Sequence, residues 1–157
     1  MASWPKGGFP YFAQAMTGFE YCAAVGMIYE GQTANGLQCT RSIRNRFDGQ
    51  KGNPFNEPEC GYHYVRSMTS WASILAMSNF HYSGVNRTMF FTSTPGIYFW
   101  DNGSAWGTCN IENQRIVLTV LYGKLALDQF ELTGTGSKKL KNFLLTKNSS
   151  KTISFDK

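Results

Sequence analysis

No apolar run in this sequence approaches the roughly 20 residues that a helix needs to cross a bilayer, so no transmembrane segment is expected. The opening residues Met1–Gly8 lack the charged stretch followed by an apolar one that marks a secretory leader, and none is expected in them. Cysteine is sparse. Cys22, Cys39, Cys60 and Cys109 lie far apart with no Cys-x-x-Cys pair, which points to neither a zinc site nor a disulfide framework. Cys22 and Cys60 stand in apolar helical contexts and read as buried thiols. Glycine-rich phosphate loops, internal repeats and low-complexity tracts are missing. Ser, His and Asp do not assemble into a recognisable nucleophile motif. No cofactor is expected.

What is present fits a packed globular chain. The 157 residues suffice for one domain or two small ones, and 42% of them are hydrophobic. Aromatic residues reach 15%. Most read as a dense core, although sugar-binding clefts also use aromatic faces. The net charge of +5 is uneven, with Lys138, Lys139, Lys141, Lys147, Lys151 and Lys157 crowding the C-terminal end. Without interleaved aromatics or arginines, that cluster reads as a solvated end or as edge-strand protection, and no nucleic-acid partner is expected.

The chain divides near Asn79 to Asn86 into a helical part, residues 1–85, and a β-rich part, residues 86–157. A first helix is predicted from about Ala13 to Tyr29, with Gly18, Ala23, Ala24 and Gly26 permitting close helix contact. A second runs from about Gly36 to Phe47 and stops at Asp48-Gly49. Leu37, Ile43 and Phe47 give it an apolar side; Arg41, Arg44 and Arg46 give it a wet one. A third runs from Glu59 to about Met77. After Asn86 short β runs follow: Thr88 to Thr92, Ile97 to Trp100 and Ala105 to Ile111, the last two joined by the hairpin signal Asn102-Gly103. Arg115 to Leu121 alternates with Ile116, Leu118 and Val120 on one side, turns at Tyr122-Gly123 and returns through Lys124 to Leu132. Asn142 to Thr146 and Lys151 to Phe155 complete the strands. Asn86-Arg87-Thr88 has the form of a glycosylation acceptor.

The richest stretch in chemistry is Asn53 to Arg66, which puts two carboxylates, an imidazole and a guanidinium at the mouth of the third helix. Pro54 and Pro58 stiffen the approach. Glu59, His63, Arg66 and Ser70 share one face at helical spacing. Tyr62, Tyr64, Val65, Met68, Trp71, Ala72, Leu75 and Ala76 make the rest apolar, and a helix apolar nearly all round is expected to be buried. Its polar stripe must then meet a partner charge, a cavity or a ligand. Glu57 suits a charged acceptor for sugar hydroxyls and Arg66 a donor fork; an internal Glu57–Arg66 salt bridge is the other reading. Glu59 and His63 could supply two metal ligands, but without a third, capping of the helix start by Glu59 is the simpler role. Glu57 and Glu59 could reach the separation of a glycosidase carboxylate pair, yet both would flank one side of a sugar. His81 follows the third helix in a loop.

These residues also carry a resemblance. Met16-Thr-Gly-Phe-Glu-Tyr21, Arg44-Asn-Arg-Phe-Asp-Gly49, Asn53-Pro-Phe-Asn-Glu57, Glu59-Cys-Gly61 and His63-Tyr-Val-Arg66 occur in the order of motifs near the C-terminal end of glycoside hydrolase family 116, the retaining β-glucosidases, β-xylosidases and non-lysosomal glucosylceramidases. The resemblance covers roughly residues 10 to 85 and extends weakly through Trp106-Gly-Thr108. It implies an α+β chain: about three antiparallel helices from an (α/α)6-type solenoid, then a C-terminal antiparallel β segment. It implies the C-terminal piece of a hydrolase, since the family's nucleophile and acid/base lie upstream of the matched region. No catalytic residue is then expected here. Glu57 and Arg66 would hold hydroxyls of a β-linked glucoside or related carbohydrate, with Glu59 and His63 in support. At Met16 the family often has a tryptophan, so the sugar remains open. A freestanding carbohydrate-binding or interaction module without hydrolase activity is the alternative. Helices that lack their solenoid neighbours should leave apolar faces for self-association.

Overall fold

The computed structural model describes residues 15–55 and 66–155. The chain forms two compact units, Met1–Met77 and Ser78–Lys157.

In the first unit, helix α1 spans Thr17–Tyr29 and helix α2 spans Thr33–Arg44, followed by a 3-10 turn over Asn45–Phe47. Tyr21, Ala24, Val25 and Ile28 recur at three- and four-residue spacing and are buried. Small residues set how closely the two helices approach. A Cβ on Gly36 of α2 would lie 2.5 Å from the carbonyl oxygen of Ala24 on α1. Gly18 and Ala24 are buried, whereas Ala23 and Gly26 face outward, so only half of the expected small-residue face is used. Ile43 is the buried residue of the α2 apolar side, while Leu37 is exposed.

The third helix differs from expectation. Its described part is a 3-10 helix over Arg66–Trp71 continuing into a short α-helix, α3, over Ala72–Ser78. Ser70 turns its hydroxyl back onto the carbonyl of Ser67 at 2.6 Å, a bond that suits the tighter 3-10 spacing. Trp71 is 72% exposed and Met68 66% exposed, so this helix is not buried all round. Ala76 packs with Val25 and Ile28 of α1, and that contact engages one side of the element. Apolar residues around a whole helix need partners on every side, and α1 offers one.

The second unit is a two-sheet β structure. Its strands are β1 His81–Ser83, β2 Thr88–Thr92, β3 Gly96–Asp101, β4 Trp106–Glu112, β5 Arg115–Tyr122, β6 Lys124–Thr133, β7 Gly136–Thr146 and β8 Ser149–Ser154. One sheet has the order β1-β2-β6-β7 and the other β3-β4-β5-β8. Alternation decides which residues face inward. Ile116, Leu118 and Val120 of β5 are buried together with Cys109 and Ile111 of β4. They join Met89, Phe91, Leu127 and Phe130 of the first sheet in one core.

This architecture overturns the expected solenoid helices with an antiparallel β tail. Of the described residues 43% are strand and 31% helix, a mostly β fold. The β part is also not wholly antiparallel. The chain leaves the first sheet after β2, builds β3 to β5 in the second, and comes back so that β6 lies parallel to β2. Parallel neighbours need such a long crossover. Tyr122-Gly123 accordingly is no hairpin turn. Gly123, at φ +81°, is the corner at which the chain passes between sheets. Residue His81, expected in a loop, lies in β1 with its ring 5.3 Å from that of Phe90.

Candidate functional site

Most of the sequence-derived site cannot be placed. Glu57, Glu59 and His63 lie outside the described residues, as does Cys60. Arg66 opens the 3-10 helix that packs beside α1.

Two of the motifs do meet. Glu20, inside Met16–Tyr21, forms an ion pair with Arg46, inside Arg44–Gly49. The pair joins α1 to the 3-10 turn after α2. Cys39 adds a long contact from its Sγ to the Glu20 carbonyl oxygen, 3.9 Å. Beyond Arg46 the chain closes on itself. Asp48 Oδ1 accepts hydrogen bonds from the backbone N–H groups of Gln50 at 2.9 Å and Lys51 at 2.8 Å, and its Oδ2 accepts one from Lys51 Nζ at 2.6 Å. These bonds, that of the Lys51 side chain first, hold the Asp48 carboxyl well below the usual carboxylate range. The arrangement shapes the loop that leads towards Asn53. Asn53 repeats the device, its Oδ1 accepting from Phe55 N–H at 2.9 Å. Asp48 was visible in the sequence only as a helix stop, because its role depends on the backbone amides that follow it.

The cysteines divide. Cys22 is exposed, contrary to the buried thiol expected of it; it falls on the outer side of α1. Cys109 is buried in the β core, and burial pushes its thiol above the ordinary range. Among the described residues no three His, Cys, Asp or Glu side chains come together as a metal-ligand set. No described helix is long and apolar enough to cross a membrane.

A second group of residues lies on the outer face of the sheet β3-β4-β5-β8. Phe99 of β3, Trp106 of β4 and Tyr122 of β5 are 55%, 39% and 57% exposed. Their rings form a row across three adjacent strands. Phe99 and Trp106 are 6.3 Å apart between centroids and tilted by 40°; Trp106 and Tyr122 are 6.3 Å apart and nearly parallel, at 18°. A register shift between Trp106 and Gly107 produces the row, because it sets Tyr122 opposite Trp106. The sequence pattern did not reveal this. Simple alternation places Leu121, two residues after Thr119, on that face.

No family model matches the chain, and no curated protein matches it. The glycoside hydrolase resemblance accordingly rests on the motif residues themselves.

Proposed function

We propose that this chain is the C-terminal part of a retaining β-glycosidase of the β-glucosidase type. In that reading it contributes glycone contacts, and the nucleophile and the acid/base lie elsewhere in the protein. The observation that carries the reading is the ordered set of motifs from Met16 to Arg66. A carboxylate and a guanidinium suit the task assigned to Glu57 and Arg66. Hydrogen bonds between sugar hydroxyls and charged partners are stronger than neutral ones and hold a glycone in one orientation.

Two assays test the proposal. The isolated chain should not hydrolyse aryl β-glucosides above the buffer rate, because neither reacting carboxyl group is in it. In the intact enzyme, Glu57→Gln should lower kcat/KM by about 2 kcal/mol, roughly 30-fold, the scale of a charged hydrogen bond. Turnover by the isolated chain that Glu57→Gln abolishes would overturn the assignment and make Glu57 catalytic.

A further inference from the structure

The sequence contains two Asn-Gly pairs, Asn35-Gly36 and Asn102-Gly103, and the fold treats them differently. In such a pair the asparagine side-chain amide is open to attack by the next main-chain nitrogen, because glycine has no side chain to shield it. Asn35-Gly36 lies within α2. There Gly36 N–H donates to the carbonyl oxygen of Gln32 at 3.0 Å, and Asn35 Nδ2 donates to Gln32 Oε1 at 3.2 Å. An amide carbonyl is a poor proton acceptor, and the helix holds the Gly36 nitrogen in its own ladder.

Asn102-Gly103 lies in the turn between β3 and β4, where Asn102 N–H donates to the carbonyl oxygen of Ala105 at 3.1 Å. Here both reacting groups have partners of the kind the reaction needs. Gly103 N–H donates to a carboxylate oxygen, Asp101 Oδ1, at 2.7 Å, within the reach of a general base. The carboxamide oxygen of Asn102 accepts three hydrogen bonds. They come from Ser104 N–H at 3.1 Å, the Ser104 hydroxyl at 3.0 Å and Ala105 N–H at 2.9 Å. Three donors on one oxygen draw charge from the amide carbon and stabilise the negative charge that develops when that carbon is attacked. Gly103 and Ser104 are exposed, and a Cβ on Gly103 would meet nothing within 4 Å, so water reaches the turn.

We infer that Asn102 is a self-modifying position, at which the turn converts its own asparagine into aspartate and isoaspartate. Gly103 N forms a bond to Asn102 Cγ. Its proton passes to the Asp101 carboxylate and from there to the departing side-chain nitrogen, which leaves as ammonia. The product is a cyclic imide within the main chain. Water then opens it. Attack at the side-chain carbonyl gives aspartate; attack at the main-chain carbonyl gives isoaspartate. Only water is consumed. Aspartate places a second carboxylate beside Asp101, and isoaspartate adds a methylene to the main chain, so the β3–β4 hairpin changes either way. The inference does not depend on the reading of Glu57 and Arg66.

The test is incubation of the full chain in heavy-oxygen water at neutral pH and physiological temperature. Peptide mapping by mass spectrometry follows the label at Asn102 and Asn35, and an isoaspartate methyltransferase assay reports the second product. Asn102 should convert while Asn35 stays intact. Conversion should be faster in the folded chain than in the chain held unfolded in guanidinium chloride, because unfolding disperses the Asp101 carboxylate and the three donors. Asp101→Asn, which keeps an acceptor but removes the base, should slow conversion about tenfold or more, and Ser104→Ala should slow it severalfold. Amide exchange at Ala105 shows whether each variant keeps the turn; if Asp101→Asn loosens it, Ser104→Ala and the unfolded chain decide. Asn102 that stays intact in the folded chain overturns the inference. So does conversion at Asn35 at the same rate, conversion that unfolding accelerates, or a rate that neither variant changes.

Discussion

At the scale of single residues, two positions carry strong constraints. Gly107 has no room for a side chain. A Cβ there would lie 1.9 Å from the carbonyl oxygen of Thr119 and 3.1 Å from the ring of Trp100, which is fully buried. The obstacle is backbone of the neighbouring strand, so relief requires β4 and β5 to separate. Gly107→Ala should cost about 3 kcal/mol, the upper part of the overpacking range, measured by urea unfolding. A loss too small to resolve would show that this close approach is wrong. Asp48 acts through its ionised form. Because its folded-state value is depressed, its contribution to the loop is complete at neutral pH and is lost only as pH falls through that lowered value. Asp48→Asn should therefore speed amide exchange at Gln50 and Lys51 at pH 7, whereas the unaltered protein shows the same loosening only in strong acid. Glu20 and Arg46 are different. Both are substantially exposed, so Glu20→Gln should change stability by less than about 1 kcal/mol.

At the scale of elements, β2 to β6 were legible because each combines alternation with turn residues. Thr88–Thr92 is β2 as read, and Asn102-Gly103 does separate β3 from β4. Alternation identifies the inward side of a strand but not the sheet it joins. That is why β6 was read as returning on β5 when it lies beside β2. The β6–β7 register shifts between Leu127 and Gln129, with the extra residues on the β7 side. Asp128 leaves the β7 register there, accepts from Arg87 Nε at 2.8 Å and receives the Arg87 guanidinium at 2.7 Å, just where β2 begins. β7 closes one side of its sheet, with Lys139 and Lys141 pointing outward and Phe143 and Leu145 inward. Those lysines discourage pairing with another chain. Lys139→Val with Lys141→Val should raise the aggregation rate on warming, followed by light scattering, with little change in unfolding midpoint; unchanged scattering would deny the edge its protective role. The third helix was misread because apolar residues around its whole perimeter suggested burial, and periodicity alone does not report which partners are available.

On the scale of the whole molecule, both units leave apolar surface exposed. The β unit encloses a continuous core from Met89 to Ile153 yet exposes Val85, Ile97 and Tyr122. The helical unit leaves Phe19, Phe55, Met68, Trp71 and Ile74 exposed. Apolar surface of that kind marks contact with something else. The chain should therefore associate at micromolar concentration, with a mass above the monomer by light scattering; a clean monomer with no dye-binding apolar surface would favour a freestanding module. Little of the candidate site was legible beyond its residue types. Helical spacing grouped Glu59, His63 and Arg66, while the Glu20–Arg46 pair joins residues too far apart for any periodicity to link. The aromatic row arises from a register shift that composition does not encode.

We propose that the segment ending at Arg66 holds a sugar, and Arg66 tests that reading most directly. In the intact enzyme, Arg66→Ala should raise KM for an aryl β-glucoside and lower kcat/KM by about 2 to 3 kcal/mol, with the melting temperature unchanged. Unchanged kcat/KM in a folded variant would contradict the account.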